Sequence, residues 1–354
     1  MSRRVSLILI SVAILCLLGL AGCMHLDPLP SGPADVPLDL FVDAGGGNDA
    51  SGDGSATSPF KTISRALSYL YNKPGVDEEG LRAEPYTTIH IAPGIYNANL
   101  GETDLSLNKV RLIGEGGSRE EVKIVTNINA SAQFEIAHVS VFGDINLSER
   151  HDIWGKTVTK FEDVWADSIR TRLYEPRLEI RDSQIGEMVA YSANDISVVN
   201  CLFIDLYGLR ITGQQGKVVL ISDCVFEGCA DAINASGHVT ISGCTISDST
   251  WGITLWIVPG GSYSITDTTV TSCSLGLLIG GKTGGSILTS GSVRISGSSK
   301  CNLLDGRDPY SGMLEIGPVQ WDAPAPTGIV YGPTPEDMGA NYWIGSEGNS
   351  LQFQ

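Results

Sequence analysis

Between Val198 and Thr268 the chain repeats itself about every twenty residues, and that period limits the fold more than any single motif does. The rows Val219-Leu220-Ile221-Ser222-Asp223-Cys224, Val239-Thr240-Ile241-Ser242-Gly243-Cys244 and Tyr263-Ser264-Ile265-Thr266-Asp267-Thr268 rhyme position by position, and Val198-Val199-Asn200-Cys201 is an earlier copy. The Cys or Thr that closes each copy stands at 201, 224, 244 and 268. A repeat of this length is one coil of a solenoid, a unit too small to bury its own apolar face and stable only when stacked on neighbours. Within each row apolar residues alternate with small polar ones, which is a strand pattern, and no stretch between rows carries a helical period. The expected class is therefore all-β, with parallel strands stacked coil on coil.

The first residues have a separate purpose. Arg3 and Arg4 precede an apolar run, Val5 to Leu20, that ends in Leu20-Ala21-Gly22-Cys23. This is an export signal over residues 1–22 rather than a membrane span, and its last four residues resemble the lipobox of bacterial lipoproteins, in which the Cys becomes acylated. Several acyl chains on Cys23 would hold the protein to a membrane durably, where a single chain gives only marginal binding. Met24 follows in place of the Asp that marks inner-membrane retention, so the resemblance implies the outer membrane or cell surface in a host with two membranes. Loss of Arg3 and Arg4 moves the formal charge from −17 to −19. Such a surface excludes nucleic acid as a partner and disfavours polyanionic glycans unless calcium or a local Arg cluster bridges the repulsion. Neutral glycans meet no such barrier.

Residues 23–39, with prolines at 28, 30, 33 and 37, read as a tether. From residue 40 a short strand leads into a glycine-rich loop, Asp43 to Thr57, and then into a helix, for which Ser58 is the expected N-cap and Pro59 the first residue. Phe60, Ile63, Leu67 and Leu70 form its apolar stripe, and Pro74-Gly75 ends it. A solenoid needs its open end covered, and this helix is the expected N-terminal cap. The run VDAGGGNDASGDGSATSPFKTISRAL, with IHIAPGIY and VRLIGEG after it, resembles the N-terminal module of an uncharacterised bacterial surface lipoprotein family in the pectin-lyase-like superfamily. The resemblance covers residues 40–116 and implies right-handed coiling. The organisation expected is a right-handed parallel β-helix over residues 40–301, capped by the helix at its start and by an irregular, proline-rich segment over 302–354. The segment Ala340 to Gly345 resembles the asparagine-aromatic sequence that closes such repeats.

The superfamily includes polysaccharide lyases, hydrolases, esterases and epimerases, and the chain lacks their signatures. The Asn-Thr-Asp, Asp-Asp, Gly-His-Gly and Arg-Ile-Lys elements of polygalacturonases are missing, as is the Asp-Pro-His-Glu sequence of mannuronan epimerases. No cofactor is expected. The acidic loop around Asp49 and Asp53 is a candidate calcium site, but turn-forming side chains that bond their own backbone explain it more simply. Asp182, Asn200, Asp223, Gly243 and Asp267 all precede the repeat's closing position, and what they share is tolerance of a left-handed backbone. Cys201, Cys224 and Cys244 occupy one phase of successive coils. Their expected separation of about 4.8 Å is longer than a relaxed disulfide wants, so they read as a ladder of buried thiols. Cys229 and Cys273 share a second phase, and the five scattered histidines read as structural.

One outward stripe points to binding. With Leu209, Ile233, Ile253 and Leu277 taken as inward, Arg210, Asn234, Thr254 and Leu278 face out, and Trp256 follows two places after Thr254. A tryptophan beside guanidinium, amide and hydroxyl groups suits a sugar, whose ring stacks on the aromatic while its hydroxyls take hydrogen bonds. The candidate contacts are therefore Trp256, Arg210, Asn234 and Thr254, and the expected partner is a polysaccharide or other glycan. Residues 149–182 also hold Arg170, Arg172, Arg177 and Arg181 among carboxylates. An enzyme, a lyase or hydrolase, would need an Arg or Lys near carboxylates on this face. A plain binding protein would show the aromatic stripe without them, and a structural envelope protein would need neither.

Overall fold

A computed structural model describes residues 39–71, 87–97, 110–130, 134–147, 158–171, 177–193, 195–213, 217–321, 328–331, 342–344 and 349–353. All fall within the unit Leu38–Gln354. Cys23 and the leader lie outside the described residues. Apart from the antiparallel Gly328–Tyr331, the described strands pair in parallel, each with a strand one coil away, in a register broken only by shifts after Ile185, Tyr191 and Val141. Leu40, Ile89, Leu112, Ile136, Phe161, Ile180, Val198, Ile221, Ile241 and Ile265 stand in one inward column. A second column runs Tyr96, Ile124, Val141, Ala166, Ile185, Phe203, Phe226, Ile246, Val270, Ile295. A third runs Ile145, Ile169, Met188, Leu209, Ile233, Ile253, Leu277, Leu303. All of these side chains are buried, each contributing about 1.5–3 kcal/mol of transfer free energy for a Val, Leu, Ile, Phe or Met. Three inward columns connected by right-handed crossovers make a right-handed parallel β-helix.

The corners explain the repeat's closing residues. Asp182, Asn200, Asp223, Gly243 and Asp267 all adopt positive φ, between 46° and 64°. The turn leaves the carbonyl two residues before the closing position facing the closing side chain, which donates to it. Ser183 Oγ bonds Arg181 O at 2.6 Å, Cys201 Sγ Val199 O at 3.3 Å, Cys224 Sγ Ser222 O at 3.2 Å, Cys244 Sγ Ser242 O at 3.3 Å and Thr268 Oγ1 Thr266 O at 2.8 Å. A second corner repeats the device with Cys229, Ser249 and Cys273 after Gly228, Asp248 and Ser272. The described cysteines are all free and buried.

At the N-terminal end the helix spans Ile63–Tyr71, four residues later than the sequence pattern places it. Thr62 is the cap: its Oγ1 accepts from Arg65 N at 3.1 Å. Asp49 adds a second cap from the loop, with Oδ1 accepting from Lys61 N and Thr62 N and Oδ2 from the Thr62 hydroxyl. Ser58 and Pro59 instead lie in the turn that brings Phe60 beside Val42. Of the expected stripe, Ile63, Leu67 and Leu70 lie on the helix and are buried against the first coils, while Phe60, also buried, precedes the helix.

Coil stacking continues past residue 301. Cys301–Asp305 pairs with the Leu275–Gly281 strand, and Gly312–Ile316 with Gly285–Ser290. Asn349–Phe353 then stacks on Gly312–Ile316 and takes Gly328–Tyr331 antiparallel on its other side. Here the core turns polar. Asp305 follows Ile279 in an inward column, and Arg307 folds back on it with Nε and Nη2 each 2.9 Å from a carboxylate oxygen, both residues 0% exposed. Arg307 Nη2 also donates to Ser350 O, and Asn349 Nδ2 to the carbonyls of Arg307 and Asp308. Among the described residues no helix is long and apolar enough to cross a membrane.

Candidate functional site

The third inward column leaves an outward face, and its register is the one the sequence pattern predicts. Arg170, Val189, Arg210, Asn234, Thr254 and Leu278 stand one above another. Two residues further along each strand, Tyr191, Thr212, Ser236, Trp256 and Gly280 form the next column. Trp256 is 48% exposed and Tyr191 45%.

Trp256 lies flat across the face. Its Nε1 reaches back one coil to Asn234 Oδ1 at 3.0 Å, while its six-membered ring sits over the next coil at Gly280. A Cβ on Gly280 would stand 2.7 Å from Trp256 Cε3, so any other residue there would lift the ring. The Pro259-Gly260-Gly261 loop leaves Trp256 half exposed. Tyr263 ties that loop down, its hydroxyl donating to Trp256 O at 2.7 Å and accepting from Val258 N at 3.0 Å.

The flat ring alters the expected role of its neighbours. Asn234 is 7% exposed and Thr254 1%. Neither is an open sugar contact; both orient the platform. Asn234 Nδ2 donates to Asp231 Oδ2 at 2.6 Å, and Thr254 Oγ1 donates to Asp231 Oδ1 at 3.3 Å. A chain of hydrogen bonds thus runs from the indole through the Asn234 amide to one carboxylate. Burial raises the Asp231 carboxyl above the usual range, against the lowering effects of the Asn234 and Thr254 bonds and of the Arg210 charge. Arg210 remains exposed.

Further charge lies toward the N-terminal side of the same sheet. Arg170 Nη2 pairs with Glu187 Oε2 at 3.0 Å, and Ser168 donates to Asp144 at 2.6 Å. Burial, together with the Asp144 charge, raises Asp167 despite a hydrogen bond from the Gly143 N–H. Arg–carboxylate pairs and an exposed tryptophan therefore share one face. Of the other predicted arginines, Arg177 pairs with Glu179 on a separate sheet and Arg172 lies outside the described residues.

The loop side chains have partners of their own. Asp49 caps the helix, and Asp53 Oδ1 accepts from Ser55 N at 2.9 Å, with hydrogen bonds from Ser55 lowering its pKa. Asp49 thus serves the helix and Asp53 its own turn, and among the described residues there is no group of three or more His, Cys, Asp or Glu that could hold a metal. His90 stacks on Phe41 between Glu115 and Asp39, His138 bonds Asp163, and His238 bonds Ser262 Oγ. In the thiol ladder, the bond from Cys224 holds Cys201 low, while the same contact followed by burial pushes Cys224 up to about 12. These buried thiols fill the core and donate to the turn carbonyls.

Sequence reasoning missed Asp231 and Tyr191. Tyr191 was within reach, since Met188 precedes Leu209 by one coil length. Asp231 was not, because it sits at the corner where strict in-out alternation breaks.

Residues 45–322 match the family described as "Protein of unknown function (DUF1565)", and the chain belongs to it. No curated protein matches the chain in sequence. Among solved structures it is similar to a GH136 lacto-N-biosidase from Eubacterium ramulus, at 8% identity and a TM-score of 0.42, over 90% of this chain and 68% of that one. It is also similar to the A-module of the Azotobacter vinelandii mannuronan C-5 epimerase AlgE6, at 14% identity and TM-score 0.32, over 76% and 91% of the two chains. A rhamnogalacturonan lyase matches at 12% identity and TM-score 0.29, over 79% and 82%. Likeness at this level carries no information about activity.

Proposed function

We propose that this protein is a lipid-anchored, extracytoplasmic β-helix that binds a polysaccharide or other glycan on the Trp256 face. The observation that carries the reading is the indole itself: half exposed, held flat over Gly280, and fixed by the Asn234 amide. A fixed aromatic plane offers a pyranose its stacking surface without an ordering cost at binding. Arg210, exposed in the neighbouring column two coils earlier, supplies donors for ring hydroxyls. The lipid-anchor reading rests on the Leu20 to Cys23 sequence, and Met24 after it favours the outer membrane or cell surface in a host with two membranes.

A second reading is a carbohydrate-active enzyme, a lyase or hydrolase. The observation that favours it is the pairing of Arg170 with Glu187 and the placement of Arg210 beside Asp231 on the Trp256 face. The binding reading ranks first because Asp231 is engaged in holding the platform and Glu187 in an ion pair.

The test is a binding screen of the detergent-solubilised full chain against a broad polysaccharide panel, with and without calcium, repeated with Trp256→Ala. A hit that weakens about tenfold or more in the variant supports the reading, since truncating a central aromatic typically costs that much. Turnover of the same glycan would favour the enzyme. Silence across the panel would overturn both and leave a structural envelope role. Labelling with radioactive palmitate, lost in Cys23→Ala, tests the anchor.

A further inference from the structure

The glycan-binding reading leaves open what shape of glycan the face accepts, and the register of the outer column bears on it. Tyr191 and Trp256 occupy the same column, separated by Thr212 and Ser236. Successive coils are about 4.8 Å apart, so the two aromatic positions are three intervals, or about 14 Å, from each other along the solenoid axis. Both rings are close to half exposed, and the positions between them carry small hydroxyl side chains, Thr212 exposed and Ser236 buried. The face is therefore a flat track with an aromatic at each end. The column beside it adds the exposed Arg210 on one of the two intermediate coils, while Asn234 on the other is buried and holds the indole.

Resting on that reading, we propose that the ligand is an extended, β-linked polysaccharide lying along the solenoid axis, with one sugar ring per coil over four coils. Its first and last rings stack on Tyr191 and Trp256. In an extended β-linked chain each pyranose advances by close to one coil spacing, so the rings keep pace with the rungs. A mono- or disaccharide reaches one aromatic only, and a coiled or branched chain leaves the track after one. The chain's formal charge of −17 selects against a densely anionic polymer, while Arg210 can donate to the hydroxyls of a neutral one. Protein partners fit poorly, because the two rings are too far apart to make one continuous apolar patch.

The test measures binding of the full chain in detergent to β-1,4-linked glucose and N-acetylglucosamine oligomers of two, four and six rings. The variants are Tyr191→Ala, Trp256→Ala and Tyr191→Phe. The expected result is a gain of about tenfold or more in affinity from two rings to four, little further gain at six, and loss of that gain in either Ala variant. Tyr191→Phe keeps the stacking plane and should retain it. Equal affinity for two and four rings, or indifference to Tyr191→Ala while Trp256→Ala abolishes binding, overturns the extended-track proposal and leaves the glycan reading intact. Failure of both oligomer series also overturns it, and the wider polysaccharide panel then decides the glycan reading separately. Thermal midpoints equal to wild type in the Ala variants exclude loss through misfolding, since both side chains are exposed.

Discussion

Asp231 shows how one half-buried carboxylate can serve a surface platform at a cost to stability. The group sits against the sheet below Trp256, and its two oxygens take the Asn234 amide and the Thr254 hydroxyl. Burial wins over these bonds and over the Arg210 charge, so the folded-state pKa is raised. For such a group the native state is relatively favoured while the carboxyl is protonated, and that contribution is lost as pH rises through the folded pKa. Asp231→Asn keeps an acceptor for Asn234 and removes the charge. It should therefore raise the thermal midpoint relative to wild type at pH 7, with the difference shrinking as pH falls below the ordinary aspartate range. Melting both proteins across pH 3.5 to 7 checks this, and a constant difference would show that burial of the charge is not what the substitution relieves. The uncharged variant should also keep Trp256 in place, read as unchanged accessibility of tryptophan fluorescence to iodide.

At the scale of the coil, the corner is a two-residue device: a left-handed residue, then a side chain that donates to the carbonyl two places back. Ser, Cys and Thr all occupy the second position because each is small, carries a donor and fits under the next coil. Cys224→Ser should fold normally, with a thermal midpoint close to wild type. Cys224→Ala leaves the half-buried Ser222 carbonyl with only its backbone bond from Asn200 N and should cost about 1 kcal/mol by chemical denaturation. Equal stability of the two variants would reduce the thiol to filler. This corner is also why so much of the fold was legible. The period, the left-handed positions and the outward register are local, periodic properties, and each could be read from residues such as Asp182, Asp223 and Asp267. The helix start was not legible, because its cap comes from Asp49, thirteen residues before Thr62. The site was legible in part. Trp256 and Arg210 stand where the alternation puts them, but Asn234 and Thr254 lie under an indole whose orientation depends on Gly280, a residue in the next coil, and no local pattern carries that.

For the solenoid as a whole, the vulnerable places are its ends, since an inner coil is covered on both sides and a terminal coil on one. The N-terminal end is closed with apolar side chains of the helix. The C-terminal end is closed by placing Asp305 in an inward column and neutralising it with Arg307, whose remaining donors hold Thr283 O and Ser350 O. A buried pair of this kind contributes little net stability, because desolvating both charges offsets most of their attraction, yet removing one partner leaves a bare charge in the core. Arg307→Met should therefore destabilise by about 3–5 kcal/mol. Because coils couple mainly to their neighbours, the damage should begin at the C-terminal end, with early proteolytic loss of the Asn349–Phe353 strand. Adding Asp305→Leu removes the stranded carboxylate and lets the inward column continue as apolar, so the double variant should be more stable than Arg307→Met alone. A double variant as unstable as the sum of the two single ones would mean that the pair is not coupled, and that Arg307 closes the end through its bonds to Thr283 and Ser350 instead.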